Sequence, residues 1–247
     1  MCGEGKPLIF LHGLGAESSM FQPQQEFFSR HYQVIIPDLR GNGQSGELAC
    51  HPDTVLDQQT HDIIELIDHL RLSEVVVVGV SYGGVVSMHL LARYRSRIAA
   101  AVLCDTFSST VQHPVLNCLV KLMLPLSKIG WLMDLATTGF YKRWPLASAY
   151  FHWLFCHLRG NEVVLQRKAI LSIDYRAELR QVTQPILCLA GKSARGSSLV
   201  KMMRTTEAQL AHCSSFVIKN SFDPSNLCQP ERFNQLVDQF LRQHYID

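Results

Sequence analysis

Six short runs of almost continuous apolar residues are spread along the chain. They are Pro7–Leu11, Val34–Pro37, Val75–Val78, Ala99–Cys104, Ile186–Ala190 and Ser215–Ile218. Each run has the length of a strand, and the lack of polar alternation is typical of parallel strands that are covered on both faces of a sheet. The runs therefore predict six strands of a largely parallel sheet.

Helical patterns occupy the intervals between these runs. In Thr54–Leu70, apolar residues such as Leu56 and Ile63 recur at the spacing of one helix face. Gly83–Arg95 and Pro230–His244 have similar patterns, and the second begins with a proline, which is favoured at a helix start. Strands that alternate with helices predict an α/β fold with a mostly parallel, doubly wound sheet and right-handed crossovers.

The stretch from about Val111 to Arg180 departs from this alternation. It has helical character and contains no strand-like run. It also contains the three tryptophans of the chain, Trp131, Trp144 and Trp153. We predict a helical cap over 109–181 that is inserted into an α/β core made of 1–108 and 182–247.

Charge is divided unevenly between these parts. The chain has a net charge of +2, while Val111–Arg180 has nine lysines and arginines against four acidic residues, which leaves it at +5 and the remainder at −3. Solvated helix faces are one explanation of this excess, and a preference for anionic substrates or a membrane surface is the other. The small overall charge does not support a nucleic-acid-binding surface.

Length and composition fit one globular domain with a large core. Apolar residues make up 47% and charged residues 18% of the 247 residues, a balance that argues against disorder. No apolar run reaches the ~18 residues that a membrane-spanning helix needs, and Met1–Pro7 contains no apolar signal-peptide region. We therefore expect a cytoplasmic protein without an integral membrane segment, whose oligomeric state is left open.

The eight cysteines are scattered, and no pair has the Cys-x-x-Cys spacing. Several of them, such as Cys104 and Cys188, lie within the predicted strands. We therefore expect free, mostly buried thiols rather than a disulfide framework or a zinc site.

The strongest chemical signal is the sequence Gly-Val-Ser-Tyr-Gly at 79–83, which follows a predicted strand and precedes a predicted helix. A serine held between a strand and a helix on a sharp turn needs glycines on both sides, because the neighbouring backbone comes very close. The amino end of the following helix directs its N–H groups at the same point. The pattern predicts that Ser81 is a nucleophile.

Two further turns, each directly after a strand, strengthen this prediction. They are Leu-His-Gly-Leu-Gly at 11–15 and Asp-Leu-Arg-Gly-Asn-Gly-Gln-Ser at 38–45. Together with 79–83 and the helix that begins at Pro230, they resemble the α/β-hydrolase superfamily over almost the whole chain except the cap. The resemblance implies an oxyanion hole made by the backbone N–H groups of Leu14 and Tyr82. His12 is expected to be a structural or substrate-contacting residue rather than a base.

The residues that would activate the serine differ from the superfamily pattern. In this superfamily the catalytic histidine usually lies seven residues before the position of Pro230, where this chain has Asp223. The usual acid position, after the strand that ends at Ala190, has no carboxylate in 191–194. Asp105 directly follows an earlier strand and is either the acid of a triad or a loop anchor. Asp223 is a candidate base, although an unperturbed carboxylate with a pKa of ~4 is a poor acceptor for a serine proton.

None of the eleven histidines is an obvious substitute. His212 is expected in a surface loop and His89 in the helix after Ser81, where it packs. His113, His152 and His157 lie in the predicted cap and would reach Ser81 only if the cap folds over it. The others are expected on the surface or on helix faces: His31, His51, His61, His69 and His244.

Two main functions are compatible with these observations. The first is a serine hydrolase that acts on an ester, lactone or thioester with an apolar or aromatic acyl group, without a metal or organic cofactor. Trp131, Trp144 and Trp153 would then line the pocket for this small-molecule substrate, or else form the core of the cap. The second is a catalytically weakened relative that binds a ligand or another protein, because the loss of a triad member costs orders of magnitude in rate. A lyase on the same fold is a third possibility.

The amino terminus also departs from the superfamily. The first strand begins at Pro7, so no sequence precedes it that would form the usual leading β-hairpin. The strand Val34–Pro37 is therefore predicted to be an unpaired edge.

Overall fold

The computed structural model describes residues 1–111, 121, 124–193 and 198–245. Its strands are β1 Pro7–Leu11, β2 Gln33–Ile35, β3 Val75–Val80, β4 Ile98–Cys104, β5 Ile186–Lys192 and β6 Cys213–Lys219. They form one sheet in the order β2-β1-β3-β4-β5-β6, and every neighbouring pair is parallel. The predicted parallel sheet is confirmed, with all six strands at the predicted places and small differences at their ends.

The α-helices in the described part of the chain surround this sheet. They are α1 Gln22–Phe28, α2 Val55–His69, α3 Tyr82–Arg93, α4 Gly130–Tyr141, α5 Pro145–Cys156, α6 Gly160–Ala169, α7 Arg176–Leu179, α8 Ser198–Glu207, α9 Ser225–Cys228 and α10 Pro230–His244. Short 3-10 turns add Ser18–Phe21, Pro52–Thr54, Arg95–Arg97 and Leu124–Lys128. None of these helices is long and apolar enough to cross a membrane.

Alternate residues of each strand point to opposite faces, so the sheet separates two cores. Phe10 of β1 packs with residues of α1 and α10, such as Phe28 and Phe233. Its neighbour Ile9 packs on the other face with residues of α2 and α3, such as Ile67. Helices on both faces confirm the doubly wound α/β architecture.

The sequence predicts that the edge strand β2 is unpaired, but in the structure one of its residues is paired. Cys2 forms an isolated antiparallel bridge with Val34. The Cys2 N–H donates to the Val34 carbonyl at 3.0 Å, and the Val34 N–H donates to the Cys2 carbonyl at 2.8 Å. The prediction was wrong because the six residues before β1 are enough to turn back and cover one pair of edge groups.

The segment between β4 and β5 contains α4, α5, α6 and α7, in line with the predicted helical character, and its two ends are held together. Ser109 bridges to Asp174. The Thr110 N–H donates to the Ile173 carbonyl at 3.0 Å, and the Tyr175 N–H donates to the Ser108 carbonyl at 2.9 Å. The two ends of this segment therefore meet near the end of β4, and the division of the chain into a core and a cap stays a prediction.

Seven of the eight cysteines lie among the described residues, and all seven are free. Cys104 and Cys188 are buried in β4 and β5, as predicted. Cys188 and Cys213 are neighbours across β5 and β6, with a distance of 3.4 Å between their sulfur atoms. Cys118 lies outside the described residues.

Candidate active site

Ser81 occupies the single residue between β3 and α3, at the carboxyl edge of the sheet. Its backbone has φ 56° and ψ −116°, a conformation that non-glycine residues adopt at a cost. The Ser81 N–H donates to the Cys104 carbonyl at 2.8 Å, which ties the turn to the end of β4. Backbone strain of this kind is a frequent feature of functional sites.

The glycines on both sides of Ser81 are required by close backbone contacts. A Cβ atom on Gly79 would overlap the Gly83 carbonyl, and one on Gly83 would overlap the Leu11 carbonyl at the end of β1. The turn therefore has this shape only with hydrogen in place of a side chain at both positions, as the sequence pattern predicts.

This steric requirement gives a stability prediction. Gly83→Ala is expected to destabilise the fold by about 1–3 kcal/mol, because the backbone of β1 cannot move away without disturbing the sheet. Gly139→Ala in α4 is the matched control, since a Cβ there meets nothing within 4 Å. The control is expected to stabilise by about 0.5–1 kcal/mol, because glycine is unfavourable in a helix interior. Urea unfolding of both variants measures the difference, and equal effects would contradict the steric account.

Asp223 is the partner that the structure gives to Ser81. It lies in the loop between β6 and α9, and its Oδ2 is 2.7 Å from Ser81 Oγ. Two side chains of the inserted segment hold this loop in place. The Tyr141 hydroxyl donates to the Asp223 carbonyl, and Trp144 Nε1 donates to the Asn220 carbonyl at 2.9 Å. Counting back from Pro230 thus identifies the residue that faces the serine.

Asp105 lies behind this pair and is bound to backbone groups. Its Oδ1 accepts from the Gly191 N–H and its Oδ2 from the Ser225 N–H, each at 2.7 Å. The carboxylate is 2% exposed and follows β4 with a positive φ of 52°. It therefore links the end of β5 to the start of α9, which corresponds to the loop anchor among the two predicted roles.

Burial and proximity change the protonation of both carboxyl groups. Desolvation, followed by the charge of Asp105, raises the pKa of Asp223 to about 8. Desolvation also raises the pKa of Asp105, but its two backbone N–H donors favour the charged form. Two neighbouring carboxyl groups in one buried site do not both ionise easily. The proton stays on the carboxyl group that accepts fewer hydrogen bonds, which here is Asp223. Asp223 is therefore protonated at neutral pH and becomes a carboxylate at mildly alkaline pH.

A cavity of about 340 Å³ opens onto this pair. Its walls come from the turn after β1, from the start of α3 and from α4, α5 and α6. They include Gly13, Leu14, Met20, Ser81, Tyr82, Phe107, Met133, Tyr141, Tyr150, Phe151, Phe155, Arg167, Ile170 and Asp223. The helical insertion thus covers the serine with a mainly apolar and aromatic surface.

The two predicted oxyanion donors lie in the wall of this cavity beside Ser81. Tyr82 is the first residue of α3, so its N–H has no acceptor within the helix. Leu14 belongs to the turn that follows β1, and β1 is the direct neighbour of β3. Both backbone positions are compatible with the predicted role, which stays a prediction.

His12 does not line the cavity, and its assignment to substrate binding was wrong. It is fully buried, with Nδ1 2.9 Å from the Gly13 carbonyl, and its Nε2 accepts the Leu39 N–H at 2.9 Å. Burial lowers the pKa of the imidazole, which stays neutral so that Nε2 can accept. His12 holds two loops together, which was the structural role also considered.

The three tryptophans do not line the cavity either. Trp131 is 71% exposed, and Trp153 is half-exposed and stacks on His157. Trp144 is buried beside the loop of Asn220. Helix geometry explains the error, because α4 and α5 direct other aromatic residues, such as Tyr141 and Phe151, toward Ser81.

Among the described residues, no imidazole lines the cavity. His89 is buried in α3 between the Tyr175 hydroxyl and Asp57, as expected for a packing residue. His152 pairs with Asp134 on the surface. His212 is exposed, and His113 lies outside the described residues.

Arg167 is a cavity residue that the sequence analysis missed. It lies in α6, where Val163 and Val164 are buried four and three residues earlier. Those positions share a helix face with Arg167. A cation at helical spacing from two apolar residues of the predicted cap was therefore the signal that would have identified it.

Comparisons with known proteins agree with this fold. A family model described as "alpha/beta hydrolase fold" matches residues 6–131. The chain is 29% identical over 249 residues to an (E)-2-((N-methylformamido)methylene)succinate hydrolase of Acinetobacter baylyi, covering 97% of this chain and 91% of that protein. It is 25% identical over 243 residues to 3-oxoadipate enol-lactonase 2 of the same organism, covering 95% and 88%.

Solved structures show the same architecture. The enol-lactonase from Burkholderia xenovorans LB400 superimposes with a TM-score of 0.82 at 24% identity, over 97% of this chain and 92% of that one. The two chains thus share one fold.

Proposed function

The chain belongs to the α/β-hydrolase fold family, and from this premise we propose that it is a hydrolase of carboxylic esters in which Ser81 is the nucleophile and Asp223 accepts its proton. The observation that carries the proposal is the 2.7 Å distance between Ser81 Oγ and Asp223 Oδ2 at the cavity wall. A base must lie within hydrogen-bond reach of the proton that it removes, and the serine must be open to a substrate. Both conditions are met here.

The pKa of Asp223 supports its role as the base. A carboxylate with an ordinary pKa is too weak to take a proton from serine at neutral pH. Burial and the neighbouring Asp105 raise the pKa to about 8, which makes the deprotonated form a much stronger acceptor. The raised pKa removes the difficulty noted in the sequence analysis, where an unperturbed carboxylate is too weak a base for a serine proton.

The first half of the reaction forms an acyl-enzyme. Ser81 Oγ attacks the carbonyl carbon of the ester while its proton moves to the Asp223 carboxylate. The carbonyl oxygen becomes negative and is stabilised by the N–H groups of Leu14 and Tyr82. The carbon–oxygen bond to the alcohol then breaks, and Asp223 returns the proton to the leaving alkoxide.

The second half releases the acid. A water molecule attacks the acyl carbon and gives one proton to Asp223, and the same two N–H groups stabilise the tetrahedral intermediate. The bond to Ser81 Oγ breaks, and Asp223 returns the proton to Oγ. One ester and one water are consumed, and one acid and one alcohol are formed, so the site returns to its starting state.

The wall of the cavity and the relatives support an ester or a lactone as the substrate. Tyr141, Phe151 and Phe155 provide an apolar and aromatic surface for the acyl group. One relative is named an enol-lactonase, and a lactone is a cyclic ester. Another is named a hydrolase of a substituted succinate that carries an N-methylformamide group and no ester, so it supports hydrolysis in general rather than an ester substrate.

The alternative to a hydrolase is a protein that binds a ligand without efficient catalysis. No imidazole among the described residues lines the cavity, and this favours a weakened enzyme that retains a ligand-binding site. The two functions differ in whether Ser81 reacts.

Reaction with a fluorophosphonate probe tests this directly. We expect one covalent adduct per chain, located on Ser81 by peptide mass spectrometry, because Asp223 activates this hydroxyl and the cavity admits the probe. Labelling is expected to be faster at about pH 9 than at about pH 7, since the Asp223 carboxylate is the form that accepts the proton. Heat-denatured protein is the control. An unmodified mass after prolonged incubation at both pH values would favour the ligand-binding function.

A further inference from the structure

The cavity of Ser81 is lined by a cationic side chain that forms no ion pair with any acidic residue in the described part of the chain. Arg167 of α6 lines the cavity, and its Nε is buried without a hydrogen-bond partner. Desolvation by burial lowers the pKa of the Arg167 guanidinium. A guanidinium stays charged in proteins, so the buried Nε of Arg167 loses hydration without gaining a hydrogen-bond partner.

The acidic residues nearby do not neutralise it. Glu162, on the same helix, is bound to Arg159 at 2.9 Å. Asp223 is the carboxyl group of the described cavity wall, and it is hydrogen-bonded to Ser81 and protonated at neutral pH. Among the described residues, Arg167 takes part in no ion pair with an acidic side chain.

Arg167 is also placed differently from the other cations of its helix. Lys168 is exposed, and Arg159 donates to the Ser45 carbonyl and to Glu162. Arg167 has no such protein acceptor among the described residues, and its helix places it beside the buried residues Val163 and Val164. Desolvation of a cation in this position costs free energy while the cavity is empty. An anion that enters the cavity and pairs with the cation offsets this cost.

We propose that Arg167 binds a carboxylate of the substrate, so that the ester hydrolysed at Ser81 also carries a free carboxylate. The proposal rests on the proposed function and adds its substrate class: half-esters and lactones of dicarboxylic acids. The planar guanidinium presents two parallel N–H donors that match the two oxygens of a carboxylate. One guanidinium balances one negative charge, which suits a carboxylate better than a phosphate dianion.

A pair of esters with the same shape and different charge tests the proposal. Mono-p-nitrophenyl glutarate carries a carboxylate where p-nitrophenyl 5-methylhexanoate carries two methyl groups on the same carbon. We expect the wild type to prefer the anionic ester in kcat/KM. Arg167→Gln is expected to lower kcat/KM for this ester by about 10–100-fold, the usual worth of a charged hydrogen bond. Because Arg167 also lines the cavity, the same variant is expected to lower kcat/KM for the neutral ester by a clearly smaller factor, so that the ratio of the two esters falls.

Lys168→Gln is the matched control. It removes the same charge from the adjacent residue, which is exposed and does not line the cavity. It is expected to leave the ratio of the two esters unchanged. Arg167→Lys serves as a second variant in case Arg167→Gln unfolds, and is expected to restore part of the preference because it keeps the charge but not the two-pronged donor. Equal kcat/KM for both esters, with no effect of Arg167 on either, would overturn the carboxylate site.

Binding of glutarate distinguishes this proposal from the proposed hydrolysis. Calorimetry is expected to show glutarate binding to the wild type and about 10–100-fold weaker binding to Arg167→Gln. If neither ester is hydrolysed but glutarate binds through Arg167, the carboxylate site stands and hydrolysis is refuted. If both esters are hydrolysed while glutarate does not bind, hydrolysis stands and the carboxylate site is refuted.

Discussion

Ser81→Ala is expected to lower kcat/KM for p-nitrophenyl esters by about 10³-fold or more, because loss of a serine nucleophile leaves only binding and the oxyanion donors to assist water. The substitution removes one oxygen from a turn whose shape is set by Gly79 and Gly83, and alanine is compatible with the same site volume. The cavity and its ligand affinity are therefore expected to persist. Steady-state kinetics on purified protein measures the effect.

Binding provides the control for this prediction. The Ser81→Ala variant is expected to retain the thermal stability of the wild type and its affinity for glutarate, which shows that the site is still formed. Residual activity equal to that of the wild type in a folded variant would mean that another group attacks the ester, and it would refute the assignment of Ser81.

Asp223→Asn is expected to lower kcat/KM by about 10²–10⁴-fold, the usual contribution of a general base. The pH dependence identifies the group. Because the pKa of Asp223 is raised to about 8, the carboxylate form increases as the pH rises through that value. Wild-type kcat/KM is therefore expected to increase with pH and to level off above about 8, whereas the asparagine variant lacks this step. A wild-type profile that is flat between about pH 6 and 9 would contradict the role of Asp223.

Stability gives an independent measurement on the same two proteins. Between the unfolded pKa of ~4 and the folded pKa of about 8, the folded chain holds a proton on Asp223 that the unfolded chain has released. The free energy of unfolding contributed by this group therefore decreases as the pH rises through that window. Asp223→Asn removes the titration, so the variant is expected to gain stability relative to the wild type as the pH increases. A constant difference in melting temperature would refute the raised pKa.

Asp223→His extends the same experiment. An imidazole has an ordinary pKa of ~6.5 and is mostly in its basic form at neutral pH, so this variant is expected to exceed the wild type near pH 7. Asp105→Asn in this background tests whether Asp105 also orients the ring, and a large loss would support an acid role beside its role as an anchor. Asparagine cannot replace both hydrogen bonds that Asp105 accepts from Gly191 and Ser225, so thermal stability must be measured alongside.

The sequence by itself determined the parts of this protein that depend on local pattern. The bounds of β1 and α10 are those predicted, because an apolar run and a proline at a helix start are local signals. The position of Ser81 followed from the glycines at 79 and 83, since the steric limits of a tight turn act within a few residues. Asp223 followed from its spacing to Pro230 in the resemblance, but its contact with Ser81 did not.

Only the tertiary structure decided which side chains meet and in what protonation state. The raised pKa of Asp223 comes from burial and from Asp105, a residue of another strand end, and no local pattern encodes that proximity. Trp131 and Trp153 point away from the cavity while Arg167 lines it, because the packing of each inserted helix selects the face that it turns toward Ser81. Desolvation and charge interactions depend on distances through space, and those distances are set by the assembled sheet and its covering helices rather than by neighbours in the chain.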